Sequence, residues 1–479
     1  MLRPSIERGV ARSASDALSR LPRALLVVVP ASLISALIVV GIAVGSGALE
    51  LVGSTLALVA AVVAPEVGLG VLVVLAPLQP PPAIPAPGLN FLLVGALLVG
   101  CLWRLPIDRP RLRLSASALF LLGFLVYISA QQLPDMLGGY RGDEGHTIGY
   151  LFFQVLAGFG LILAAGYLLR GRSPWPILIM AMIGAALAAI VTVATFENQG
   201  AGSPFGGLVA VADAGLRAAG PFVNPNYMGT FAAAVLVGIV AVWTSVSSPI
   251  AKSLLVGLAI LCLIAIVEAQ SRGAIVAGFA AIAAVVWLRS RPLAISIVAL
   301  GVIAAVLIYP AFVQWRLTNE LGDASDAGYV AMTQSDDARL NASLAGPAMF
   351  AAEPIFGVGF GQFVEKSVEI SGLDTAINAH NWYVNVLAEQ GTTGGLLWLG
   401  AMVATIFELR KRRGVARVVG IGMFAMIVVG SNFLELPDSF QLAAIPAVIL
   451  VAALVAKWPE RTRIIARGTP ATVPEGTMA

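Results

Sequence analysis

The stretch "NAHNWYVNVLAEQGTTGG", Asn378 to Gly395, carries one of only two histidines in a chain of 479 residues. His380 stands beside Asn381, and nine residues separate that pair from Gly391-Thr392-Thr393-Gly394. A neutral imidazole can take a proton from a hydroxyl within hydrogen-bond reach. The plainer alternative makes His380 a cap or a surface residue at a helix start. At about 100° per residue, His380, Tyr383, Val384 and Leu387 share one helical face, with Asn381 and Asn385 flanking it and Glu389 pointing away. The other histidine, His146 in "RGDEGHT", has a polar loop context and no comparable setting.

Three arginines supply a second kind of chemistry. Arg217 lies in "GLRAAGPFVNPNYMG", where Asn224-Pro225-Asn226 reads as a turn and Asn226 as a cap for the following apolar run. Asp213, four residues earlier, offers Arg217 a local ion pair instead. Arg272 lies in "EAQSRGAIVAG", a tight turn between apolar runs, where its guanidinium meets either a bound phosphate or a lipid head group. Arg339 lies in "DDARLNASLAGPAMFAAEPIFGVGFGQF", whose residues 337–352 read as a helix that Pro354 ends. A cation near that helix N-terminus opposes the dipole, and an anionic partner would offset the cost. "GVGFGQF" is a glycine turn, too generic to claim phosphate binding. Several guanidinium groups can bind a diphosphate bidentately and neutralise it as a leaving group, while one imidazole accepts the proton of an attacking hydroxyl. No CxxC, HExxH, Walker or GxGxxG pattern and no acidic cluster appears, so no metal or nucleotide cofactor is expected. Cys101 and Cys262 lie in apolar segments and read as small core residues.

The elements that must hold these residues are membrane spans. Hydrophobic residues make up 58% of the chain, charged residues 11%, and the mean hydropathy is +0.91. Soluble domains are about 25% charged. Apolar runs long enough to span a bilayer recur from end to end, while the alternating ten-residue segments of a barrel are absent. The expected fold is an all-α polytopic membrane protein, a bundle of about 12–14 transmembrane helices with one large periplasmic loop subdomain. Candidate spans are about 24–45, 49–64, 66–79, 89–103, 114–131, 148–169, 175–195, 226–248, 253–269, 273–288, 293–310, 390–408, 418–434 and 439–456. The short pair broken at Pro65 also reads as a re-entrant hairpin.

If these spans alternate, all but six of the 29 lysines and arginines fall on one side, which is then the cytoplasm. The organisation is a basic cytoplasmic tail, 1–23, a transmembrane bundle, 24–310, a large periplasmic loop, 311–389, further spans, 390–456, and a cytoplasmic tail, 457–479. The six exceptions are Arg141, Arg217, Arg272, Arg316, Arg339 and Lys366. They oppose the topological bias, so either loop carboxylates or an anionic ligand must favour them. The longest connection also lies on that outer face, and long ordered loops usually serve function. Without ATP there, the donor must arrive already activated. A polyprenyl-diphosphate-linked sugar fits, with its tail in the bilayer and its diphosphate at the interface.

On these residues the sequence resembles the O-antigen ligase and O-antigen polymerase superfamily of bacterial membrane glycosyltransferases. The family pattern is His followed by Asn, Ser or Gln, nine residues, then Gly-x-x-Gly, and His380 to Gly394 matches it throughout. "RAAGPFVNPNYMG", "SRG" and "R…EPIFGVGFGQF" resemble the family's other stretches in the expected order. The resemblance covers about 215–400. It implies metal-independent, inverting transfer of a glycan from undecaprenyl diphosphate to an acceptor hydroxyl, a lipid A-core sugar in a ligase. It implies that His380 is the base or orients the acceptor, and that Arg217, Arg272 and Arg339 grip the diphosphate. Asn381, Asn224 and Tyr383 would support them from behind. Expected partners are the undecaprenyl-diphosphate-linked glycan, a glycan or glycolipid acceptor and membrane lipid, with no nucleic acid, in the bacterial inner membrane. The family has about twelve spans, so a count of fourteen is a departure. A polymerase shares the donor but passes the glycan to another lipid-linked glycan, and a protein O-glycosyltransferase is a third possibility. A lipid-linked oligosaccharide flippase, from another class, would call for a charged central cavity and a repeat between halves, and no clear repeat is present.

Overall fold

The computed structural model describes residues 24–78, 88–108, 114–138, 148–195, 217–222, 224–321, 340–371, 378–434 and 439–458. Among the described residues every regular element is helical. In chain order these are α1 (Ala24–Ala43), α2 (Gly47–Val63), α3 (Pro65–Leu75), α4 (Leu89–Asp108), α5 (Ala116–Gly138), α6 (Ile148–Leu168), α7 (Trp175–Thr195) and α8 (Pro225–Val242). They continue as α9 (Pro249–Ala269), α10 (Arg272–Trp287), α11 (Arg291–Leu321), α12 (340–352), α13 (Phe363–Ser371), α14 (Trp382–Arg410), α15 (Gly414–Gly430) and α16 (Phe440–Val455). Seven are long and apolar enough to cross a membrane by length and composition, and seven shorter apolar helices accompany them. Each predicted span therefore finds a helix, and the chain is an all-α polytopic membrane protein.

Local chemistry sets the helix starts. Asn224 and Ser248 cap α8 and α9, each followed by a proline whose missing N–H costs nothing in a first turn. Ser271 and Ser439 cap α10 and α16. The short pair α2 and α3 holds a surprise, because α3 is a core helix. All its residues except Glu66 are buried, and 3-10 residues Ala76–Leu78 continue it. Small residues permit this close packing. A methyl group on Gly184 of α7 would sit 2.8 Å from the Val74 carbonyl oxygen.

Contacts between helix ends separate two faces. On the arginine-rich face, Glu66 accepts from Arg104 at 2.6 Å and also pairs with Arg172. Lys457 N–H donates to the Arg172 carbonyl, and the Glu408 carboxylate accepts from Ser117 N at 3.0 Å and Ser117 Oγ at 2.8 Å. Arg289 caps the end of α8 through the Val240 and Ala241 carbonyls. On the opposite face, the Gln441 amide donates to the Pro77 and Pro221 carbonyls and binds the segment before α8 to the bundle.

Besides a small cluster of Ala342, Met349, Phe363, Ala379 and Ala388, two larger cores of different kind result. The larger runs through α1–α4, α6–α10, α15 and α16. The smaller is aromatic and joins α5 to α14: Phe124 and Trp398 lie 5.8 Å apart, Trp382 and Trp398 5.4 Å. Between the α5–α14 pair and the α15–α16 wall lies a cavity of about 1720 Å³. α11 continues through Pro310 to Leu321, beyond the apolar run at 293–310. α14 starts at Trp382, before the apolar run at 390, because the helix resumes past a kink.

Candidate functional site

The opening stretch is not one continuous helix face. His380 precedes α14 with φ of 50°, a left-handed conformation that histidine adopts more readily than most side chains. Asn381 is the N-cap, and its Oδ1 accepts from Tyr383 N at 3.0 Å and Val384 N at 3.3 Å. The periodicity that aligned His380 with Tyr383 therefore does not apply across the cap. His380 is half-buried. Before it, the Ala379 carbonyl accepts from Ser343 Oγ of α12, and the Asn378 amide oxygen accepts from Asn385 Nδ2 at 2.9 Å. After it, Trp382 N–H donates to the Ser431 carbonyl and Tyr383 Oη to the Val428 carbonyl, each at 2.8 Å. The histidine thus sits at a junction of α12, α14 and the end of α15.

The Gly-Thr-Thr-Gly motif is a kink. Gly391 has φ of 61° and ψ of −160° inside α14, a conformation that excludes most side chains. The helix bonds lost there are replaced by the glycine turn after α12. Val358 N and Gly359 N donate to the Ala388 and Glu389 carbonyls, while Thr392 N and Thr393 N donate to Pro354 and Ile355. The two backbones pass so closely that a methyl group on Gly391 would meet Gly357 N at 2.6 Å. Glu389, which the helical wheel turned away from His380, is buried and accepts from Phe363 N at 2.9 Å, capping α13. Its other oxygen accepts from Gln390 Nε2. From α5, Tyr127 Oη donates to the Phe356 and Gln390 carbonyls, and Gln131 Nε2 to Phe356.

The arginines sit on the other side of the α15 end. α9 ends at Ala269, Gln270 follows at φ 51°, and Ser271 caps α10. The last carbonyls of a helix lack partners within it and carry partial negative charge. Arg217 satisfies one: its Nε and Nη2 donate to the Ala269 carbonyl at 3.1 and 3.0 Å, and Nη2 also to Asn226 Oδ1 at 2.9 Å. Ala218 N donates to the Glu268 carbonyl. Asn224, not Asn226, caps α8. Arg272 opens α10 and is half-buried. Its neighbour Gly273 packs so tightly on Phe433 that a methyl group there would lie 2.7 Å from Phe433 Cβ. Phe433 follows Ser431, so one turn after α15 touches both the Arg272 side and the His380 side.

The structure therefore gathers Arg217, Arg272 and His380, with Asn224, Asn381 and Tyr383, onto one face. Arg339 lies outside the described residues, as does Asp213. Lys366 follows the ordinary path for an outer cation: it donates to Glu369 Oε2 at 2.6 Å, and that bond raises its ammonium above the usual lysine value. Sequence reasoning missed Glu389, Gln441 and the Ser431–Phe433 turn. Each acts through a backbone partner distant in the chain, which leaves no periodic signal. Among the described residues no three His, Cys, Asp or Glu side chains form a metal-ligand group. Both cysteines are buried.

No curated protein matches the chain. Residues 257–399, from within α9 to beyond the kink of α14, match the family model described as O-antigen ligase, and this stretch has Arg272 and His380 inside it and Arg217 ahead of it.

Proposed function

We propose that this protein is a membrane glycosyltransferase that moves a glycan from undecaprenyl diphosphate to an acceptor hydroxyl, as an O-antigen ligase does, on the periplasmic face of the bacterial inner membrane. The observation that carries the reading is the position of His380. It stands in a left-handed turn beside the cap of α14 and the Ser343 contact of α12, in a segment tied to the same turn after α15 that packs against Gly273, the residue after Arg272.

The acceptor oxygen attacks the anomeric carbon of the donor sugar while its proton passes to the imidazole of His380. The bond from that carbon to the diphosphate oxygen breaks, and undecaprenyl diphosphate leaves with the electron pair. Attack opposite the leaving group inverts the anomeric centre. Arg272, with Arg217 and the resemblance-derived Arg339, neutralises the charge that grows on the diphosphate. Arg217 also holds the end of α9. Asn381, Asn224 and Tyr383 act on the backbone they cap or tie. No resident cofactor takes part in this scheme. In this reading both termini lie in the cytoplasm, and the large periplasmic loop, 311–389, carries the catalytic motif.

A ligase and a polymerase share every step except the identity of the acceptor. Purified protein given lipid-diphosphate glycan and a panel of acceptors tests the reading. Transfer by wild type and its loss in His380→Ala are expected. Full transfer by the variant would remove His380 from the chemistry, and no transfer by wild type to any acceptor would favour a transporter.

A further inference from the structure

The cavity between α5–α14 and α15–α16 has no part in the chemistry above at its far end. α14 and α15 are consecutive in the chain and joined by residues 411–413 on the arginine-rich face. On the opposite face the Trp382–Ser431 and Tyr383–Val428 bonds tie them again. Helices fixed together at both ends would close along their length if only their own side chains filled the space, because interiors pack to crystal-like density. Instead they border, together with α4, α5, α6 and α16, a cavity of about 1720 Å³ lined mostly by apolar side chains. α14, Trp382 to Arg410, contains roughly 43 Å of helix, kinked at Gly391, against about 15 Å for the apolar part of a single leaflet.

Charge marks one mouth. Where the cavity reaches the arginine-rich face, Arg170, Arg172, Lys411 and Arg412 line it. The carboxylates there are outnumbered. Glu408 accepts from both Ser117 donors, and Glu66 is shared between Arg104 and Arg172. An apolar cleft between spanning helices with a cationic rim on one face has the chemistry of an anionic-lipid site.

We infer that this cavity binds an anionic phospholipid of the leaflet on the arginine-rich face, its head group on Lys411, Arg412 and Arg170 and its acyl chains between α6, α14 and α16. The lipid holds α14 apart from α15 below the His380 junction. The site differs from the donor site in face, in leaflet and in head-group contacts, and it does not rest on the transferase reading.

The test is lipid retention by the full chain in detergent, read by native mass spectrometry against mixed phosphatidylglycerol and phosphatidylcholine. Each surface cation is worth roughly fivefold in affinity for an anionic head group. Lys411→Gln with Arg412→Gln should therefore lower the preference for phosphatidylglycerol about 25-fold, while Lys252→Gln with Arg291→Gln, an equal loss of charge away from the cavity, leaves it unchanged. Gly158→Leu fills the cavity without touching a charge, since no atom lies within 4 Å of the added Cβ. It should lower bound phosphatidylglycerol at least tenfold in protein that keeps its wild-type helical content and elution volume. Equal preference in the two charge variants would overturn the proposal, as would full retention in Gly158→Leu. Displacement of the phospholipid by undecaprenyl phosphate, undiminished in the Lys411 and Arg412 variant, would give the cavity to the donor's chain and also overturn it.

Discussion

Two regions flank the turn after α15, and they position their functional residues by opposite means. On the α8–α10 side, Arg217 is clamped to the Ala269 carbonyl and Asn226, within the large close-packed core. On the α12–α14 side, His380 hangs from a short segment whose neighbours make the bonds: Asn381 caps, Ala379 accepts from Ser343, and Trp382 donates to Ser431. Arg217 does structural work and, in the proposed reaction, chemistry as well. His380, in the proposed reaction, is the base. The two halves of the site should therefore respond differently to substitution.

The sharpest break comes at His380. His380→Ala should lower transfer about 1000-fold, in the range for loss of a general base, with the thermal unfolding midpoint unchanged. A large fall in that midpoint would show that the histidine is part of the scaffold.

Arg217 needs a control, and the molecule supplies one in Arg289. Both arginines cap the end of a helix through its carbonyls, one on each face. Arg217→Ala and Arg289→Ala should lower the unfolding midpoint by similar amounts. Arg217→Ala should lower turnover about 100-fold further, as expected for one lost donor to a developing oxyanion. Equal turnover in both variants would reduce Arg217 to a helix cap.

Gly391→Ala tests the kink. The left-handed backbone and the approach of Gly357 leave no room for a methyl group, so a cost of roughly 1–3 kcal/mol and a tenfold or greater loss of activity follow. Wild-type activity would detach the Gly-x-x-Gly motif from positioning. The smallest effect belongs to Gln441→Leu, at a side chain that bonds to no residue given a part in the proposed chemistry. It leaves the Pro77 and Pro221 carbonyls without their amide donor, costs about 1–3 kcal/mol in stability, and should change turnover of the folded fraction less than threefold.

Much of this was legible in the residues. The apolar runs located every spanning helix, because burying an unpaired backbone in lipid leaves only the helix available. The Asn-Pro turn before α8 was visible, but its cap is Asn224 and not the expected Asn226. The helix read at 337–352, of which the structure describes 340–352, and its end before Pro354 followed from composition and proline chemistry. The His-Asn to Gly-x-x-Gly spacing pointed to the family. The helical wheel failed at Asn381, because a cap breaks the period it sits in. It turned Glu389 away from His380 but could not show its partner Phe363, which lies in a different helix. The pair α2–α3 read as a marginal hairpin because its length is short, while its burial depends on neighbours far away in the chain.

By itself the sequence determined that the chain spans a membrane as helices, which turns carry the positive charge, and which histidine and arginines stand against that pattern. These follow from local free energies: the transfer of apolar side chains into lipid and the cost of moving charge across it. Only the tertiary structure decided that the turn after α15 joins the arginine side to the histidine side, that Gly391 kinks α14 onto the glycine turn, and that a cavity separates α14 from α15. Those features rest largely on backbone carbonyls and N–H groups meeting between segments tens of residues apart. Backbone groups are alike at every position, so their pairing leaves no mark in the order of side chains.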